Sequence, residues 1–118
     1  MRKKYLFVSL LAVMMLAGVA WAWTLIERHI IDDYEDGCIT YCSLDQGELY
    51  HIVNHGGYKV HVKVVRQSDN IAIIDTTMSE LFDQIDFRPD ESGWYLLITV
   101  NETIPNHQTT TDYWKDID

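Results

Sequence analysis

Histidine, cysteine and carboxylate are the side chains here with the means to do chemistry. Five histidines occur: His29, His51, His55, His61 and His107. Three of them lie around Asn54-His55-Gly56-Gly57, which reads as a hairpin turn because Asn and Gly accept positive φ. With His55, Gly56 and Gly57 in that turn, Asn54 faces Tyr58 and His51 faces His61. Two imidazoles opposite one another on a sheet face could hold Zn²⁺ or Cu²⁺, with His55 or an acid as a third ligand. A turn one residue shorter destroys that register. Three solvent-facing histidines near a turn is the simpler reading, since a metal site needs convergent ligands fixed by a supporting shell.

The two cysteines are Cys38 and Cys42. In an extended strand, residues four apart are separated by about 13 Å, whereas a disulfide needs Cα atoms within about 7 Å. A bond between them requires a turn across Ile39-Thr40-Tyr41. Two reduced thiols on one strand face are favoured over that small loop. The spacing fits neither a zinc finger nor a redox C-x-x-C pair.

Carboxylates number 18, so pairs such as Asp83 with Asp86, or Asp90 with Glu91, are expected by chance and do not mark a glycosidase. The acidic loop Asp32–Gly37 lacks the alternating oxygen ligands of an EF-hand. No Ser-His-Asp or Cys-His arrangement has a local signature. No catalytic residue and no cofactor is therefore expected. Trp94 and Tyr95 are adjacent, so a strand sends them to opposite sides. One belongs in the core, and the other, if exposed, could stack on a sugar or peptide ligand. Asn101-Glu102-Thr103 matches an N-glycosylation acceptor.

These residues need strands to position them. The clearest is Tyr58–Val65, where Val60, Val62 and Val64 form an apolar face while Lys59, His61 and Lys63 form a basic one. Trp94–Val100 is a second strong strand. Cys38–Ser43, Glu48–Val53, Ile71–Thr77 and Ile85-Asp86-Phe87 are further candidates, and Ile71–Thr77 is expected to be buried on both faces. Residues Trp23–Tyr34 show no clean period, and a short strand or a helical turn could form there. From Asn101 a polar tail is expected, in which Tyr113 and Trp114 could dock a last short strand. Short strands about ten residues apart, separated by turn signals, predict an all-β, immunoglobulin-like antiparallel β-sandwich of six or seven strands.

The N-terminus reads as a signal peptide over residues 1–22. Arg2, Lys3 and Lys4 precede an apolar run, and Ala20-Trp21-Ala22 places small residues where cleavage requires them. Cleavage after Ala22 is expected, with an uncleaved membrane anchor as the alternative. Residues 23–118 then form one domain. Three of the 9 bases leave with the signal, so six remain against 18 acids and the net charge falls from −9 to −12. Such a surface repels nucleic acid and anionic lipid.

The run Val60-x-Val62-x-Val64, a polar turn, Ile73-Ile74, a polar loop, Ile85-Asp86-Phe87 and Gly93-Trp94-Tyr95-x-Leu97-x-Thr99 resembles small exported immunoglobulin-like β-sandwich proteins of gut-type bacteria. It is similar also to the C-terminal sorting domains of type IX secretion cargo. The likeness covers residues 58–100 and departs from the pattern at Asp69-Asn70, where those families carry Asp-Gly. It implies a sandwich fold and an exported protein. The expected function is a non-catalytic binding module at the bacterial cell envelope, periplasmic or secreted, with a protein or glycan partner. An acidic periplasmic inhibitor or immunity protein is the alternative, and a metal-binding protein or hydrolase using His51 and His61 a weaker one.

Overall fold

The computed structural model describes residues 23–80 and 83–117; the expected signal segment and residues 81–82 lie outside the described residues. The described chain forms eight strands: β1 (Trp23–Ile31), β2 (Gly37–Leu44), β3 (Tyr50–His55), β4 (Val60–Arg66), β5 (Ile71–Met78), β6 (Asp83–Phe87), β7 (Gly93–Asn101) and β8 (Thr109–Asp116). They make two four-stranded antiparallel sheets, ordered β1-β8-β3-β6 and β2-β7-β4-β5. The all-β antiparallel sandwich predicted from the sequence is what forms, with eight strands rather than six or seven. Its strand order is that of a jelly roll. β1 pairs with β8, β2 with β7, β3 with β6 and β4 with β5, so the chain is a doubled antiparallel ribbon rolled into two sheets. The immunoglobulin constant-type arrangement instead sets four strands against three.

The Asn54-His55-Gly56-Gly57 turn corrects the hairpin expectation, because β3 and β4 belong to different sheets. Tyr50 and Ile52 of β3 and Val60, Val62 and Val64 of β4 all lie in one core. In a hairpin these side chains would sit beside one another on a single face. Placed in opposite sheets, they face each other and cover one another from water, which favours the arch. Gly56 and Gly57, at φ 81° and 75°, carry the chain across. Buried Asn54 holds the corner by donating from Nδ2 to the Tyr58 carbonyl at 2.6 Å. Positive-φ residues serve an arch as well as a hairpin, so the local signal does not separate the two.

Three further differences have physical causes. β1 shows no clean period because its register with β8 shifts between Leu25 and Glu27, which reverses the alternation. β5 is an edge strand, not one buried on both faces; Met78 is buried, Ile73 and Ile74 are half-buried and Ile71 is exposed. The last strand expected at Tyr113 and Trp114 forms as β8, but it is longer and more central than a strand docked on a polar tail: it lies between β1 and β3 with Thr109, Thr111, Asp112, Tyr113 and Trp114 buried.

The core joins Leu44, Tyr50, Ile52, Val60, Val62, Val64, Met78, Tyr95, Leu97 and Tyr113. Beside it a buried polar cluster links the sheets. His29 of β1 is 1% exposed. Its Nδ1 is 2.8 Å from Thr99 Oγ1 and its Nε2 3.0 Å from Thr40 Oγ1, while Thr99 Oγ1 is 2.7 Å from the Tyr113 hydroxyl. Burial drives the His29 pKa down from 6.5 to about 4, so the ring is neutral between its two hydroxyl partners.

Two outcomes follow. Val62→Asp places an unpaired charge in the core and is expected to cost about 3 kcal/mol or more. Lys63→Asp, on the outer face opposite Asp75, is expected to cost about 1 kcal/mol or less. Equal losses in thermal melts would contradict this inside–outside assignment. His29 sets a pH dependence: as pH falls from 6.5 towards 4, the unfolded chain takes up the proton that the folded one refuses. Stability should therefore decline across that window by about 1.4 kcal/mol per pH unit from this group. A His29→Gln variant that keeps the full wild-type slope in denaturant titrations at pH 4.5 to 7 would refute the assignment.

Candidate functional site

Alternation along β7 separates the two adjacent aromatics. Tyr95 is fully buried and its hydroxyl donates to the Glu91 carbonyl at 2.7 Å, whereas Trp94 is 60% exposed. Trp94 shares the outer face of the second sheet with Leu96 and Ile98, and with Ile39 and Tyr41 of β2. The result is an apolar strip that ends at one rim of the sandwich.

Three loops meet at that rim: 45–49, 67–70 and 88–92. Arg66, the last residue of β4, ties two of them. Its guanidinium donates to both Asp69 carboxylate oxygens, at 3.0 and 2.7 Å, and to Asp90, and lies 3.9 Å from Glu91. The Arg66 bond holds the Asp69 carboxyl below the usual carboxylate range. Asn70, at φ 61°, completes the turn by donating its N–H to the Arg66 carbonyl at 2.8 Å. Ser68 Oγ donates to Glu91 at 2.6 Å. The third loop is joined through the Gly47 N–H to the Pro89 carbonyl at 2.9 Å, the Gln46 N–H to Ser92 Oγ at 2.7 Å, and Arg88 to the Gly47 carbonyl at 2.6 Å. Lys115 reaches Asp45 at 2.8 Å. The rim is thus cross-braced, with an exposed indole beside it and the half-exposed or exposed carboxylates of Asp45, Asp69, Asp90 and Glu91 around it. The signal in the sequence was slight: Arg66 and Asp69 flank a turn, but their link to Asp90 spans two strands.

The histidines expected to converge on a metal are dispersed. His51 lies on the outer face of the first sheet, opposite Trp114 and Asp86. Its ring stacks on Trp23 at 3.8 Å and 13°, and its Nδ1 is 2.8 Å from Asp86. His55 Nε2 is 2.8 Å from Asp112, whose carboxylate also takes two bonds from Arg28 at 2.6 and 2.8 Å. Burial alone would raise the Asp112 pKa, but the Arg28 and His55 bonds outweigh it and hold the carboxyl low. His61 is in the other sheet, opposite Val100 and Thr77, with Nε2 on Asp75. The register that would have set His51 against His61 is absent because β3 and β4 do not pair. Among the described residues no group of three His, Cys, Asp or Glu side chains is arranged to hold a metal ion.

The remaining candidates are placed as follows. Cys38 and Cys42 are thiols on the inner face of β2, both half-buried. Lys63 and His61 share an outer face, but Asp75 answers both, so the basic strip is partly neutralised. Asp86 is held by His51 and Gln84, and Asp90 by Arg66. Asn101 is buried, donating to the Ile31 and His107 carbonyls, which leaves its amide enclosed rather than displayed for glycosylation.

No family model matches the chain, and no match is found among curated proteins. Among solved structures, the fold is similar to that of Aeromonas hydrophila PliG, a periplasmic inhibitor of g-type lysozyme. The TM-score is 0.56 at 13% identity, over 85% of this chain and 89% of that one. PirA aligns at a TM-score of 0.45 and 14% identity, over 74% of this chain and 92% of that one. At 13% identity the property shared with PliG is the fold.

Proposed function

We propose that this chain is an exported, non-catalytic inhibitor-type protein that binds a basic protein partner through the braced rim, with Trp94 as the apolar anchor. The observation that carries the reading is the rim itself. Arg66, Asp69, Asp90 and the hydrogen bonds between loops 45–49 and 88–92 hold an exposed indole among carboxylates before any partner arrives. A preorganised surface loses little conformational freedom on binding, and an exposed Trp at the end of an apolar strip, beside a charged rim, has the character of an interface anchor. The acidic net charge supports a basic partner. The fold shared with PliG makes a lysozyme, first of all a g-type lysozyme, the partner to test.

Binding and inhibition assays against that enzyme test the proposal. Trp94→Ala is expected to weaken binding by about 30-fold or more, the size of a central aromatic anchor. Arg66→Met, which releases the rim, should weaken binding while leaving the core intact. The association rate should fall about tenfold or more from low to high ionic strength, as expected for steering by opposite charge. If no wall-cleaving enzyme is bound, or if a partner captured from envelope extract binds Trp94→Ala as tightly as wild type and shows a flat salt response, the proposal fails.

A further inference from the structure

Among the described residues the sandwich has four edge strands, β1 and β6 in one sheet and β2 and β5 in the other. An edge leaves backbone N–H and C=O groups unpaired and is a template for another strand unless something discourages it. Three of these edges carry such a device. β1 has the register shift beside Ile26 and the charges of Glu27 and Arg28. β6 is five residues long and carries Asp83 and Asp86. β5 carries Asp75, and its pairing with β4 shifts register at Val64/Val65. β2 has none of them. It runs eight residues, Gly-Cys-Ile-Thr-Tyr-Cys-Ser-Leu, with no charge and no proline, in unbroken register with β7. Its outer side chains Ile39 and Tyr41 are 61% and 65% exposed.

We propose that β2 is a self-association edge: two copies of this chain pair β2 to β2, antiparallel, about a two-fold axis at Thr40. Under oxidising conditions Cys38 of each copy bonds Cys42 of the partner subunit. Symmetry and the two cysteines together set the register. Two identical antiparallel strands related by a two-fold axis must be centred on one residue. Cys38 and Cys42 lie two positions either side of Thr40, on the same inner face. Centring on Thr40 therefore sets each cysteine opposite the partner's other cysteine, and sets Ile39 opposite Tyr41 on the outer face. Directly opposed residues have Cα atoms about 4.5 to 5.5 Å apart, inside the range of about 4.4 to 6.8 Å that disulfides adopt. The spacing that prevents a bond within one extended strand is the spacing an antiparallel copy satisfies. Both thiols are half-buried on an edge strand rather than sealed in the core. For each bond formed, two thiols give up two protons and two electrons to one disulfide oxidant, such as glutathione disulfide, which leaves as two thiols.

The inference does not rest on the partner proposed above, and salt separates the two. Two acidic copies repel each other, so self-association should strengthen with ionic strength, whereas binding to a basic partner should weaken. The test treats the purified protein with glutathione disulfide and reads intact mass and non-reducing gels. Wild type should give a covalent dimer lacking the hydrogens of two disulfides. Cys38→Ser alone and Cys42→Ser alone should give little dimer, because each remaining cysteine then faces a serine. An equimolar mixture of the two variants should restore a singly bonded heterodimer. Tyr41→Lys retains both thiols but puts a charge on the edge, and should cut cross-linking about tenfold. The proposal is overturned if wild type stays monomeric or closes Cys38 onto Cys42 within one chain. It is overturned equally if either single variant dimerises alone as readily as the mixture.

Discussion

The demand that two neighbouring strands face one interior from opposite sides governs this structure. Tyr50 and Ile52 of β3, and Val60, Val62 and Val64 of β4, are too short a run apart to belong to separate cores. The chain meets the demand with an arch at Asn54–Gly57, which sends β4 to the second sheet. With β3 and β4 opposed, the rest of the ribbon can complete both sheets only by returning alongside itself, β6 against β3 and β7 against both β4 and β2. Loops 45–49, 67–70 and 88–92 are thereby gathered at one end, where the hydrogen bonds of Gly47 and Gln67 cross from loop to loop or strand. The candidate binding rim is a product of the winding, not of any one sequence motif.

The acidic composition has two roles that the total charge does not distinguish. Some carboxylates are surface charge alone. Others also fasten the chain: buried Asp112 receives Arg28 and His55, and on the surface Asp69 and Asp90 receive Arg66 and Asp75 receives His61. Few bases are present, and several of them are spent on these pairs. The exposed field is accordingly more one-sided in sign than a uniform scatter of the same residues would produce.

What could be read from the sequence was what alternation alone controls. Val60, Val62 and Val64 point inward, Trp94 and Tyr95 divide between outside and inside, and Cys38 and Cys42 share a face, because each follows from a period of two within an unbroken strand. β1 was illegible because its bulge reverses the alternation midway. β8 was legible only at Tyr113 and Trp114; its central place was not, because a Thr-rich, acidic strand becomes central only when Arg28 and His55, distant in sequence, neutralise Asp112. The metal arrangement of His51, His55 and His61 depended on a local turn being a hairpin, and that choice is made by the core and not by the turn. The Arg66 brace was likewise out of reach, since its partners lie on two different connections.

Arg28 and Asp112 are 84 positions apart, yet they join the first strand to the last. Among the described strands only β4 and β5 are both neighbours in sequence and paired; every other ladder joins strands that are separated along the chain. Loop closure must precede nearly every favourable contact, which places such a chain among slow-folding topologies. On a ribosome β1 has no paired strand until β8 emerges. Until then the first sheet stays open along β1, the state in which a polypeptide can be threaded through a narrow channel.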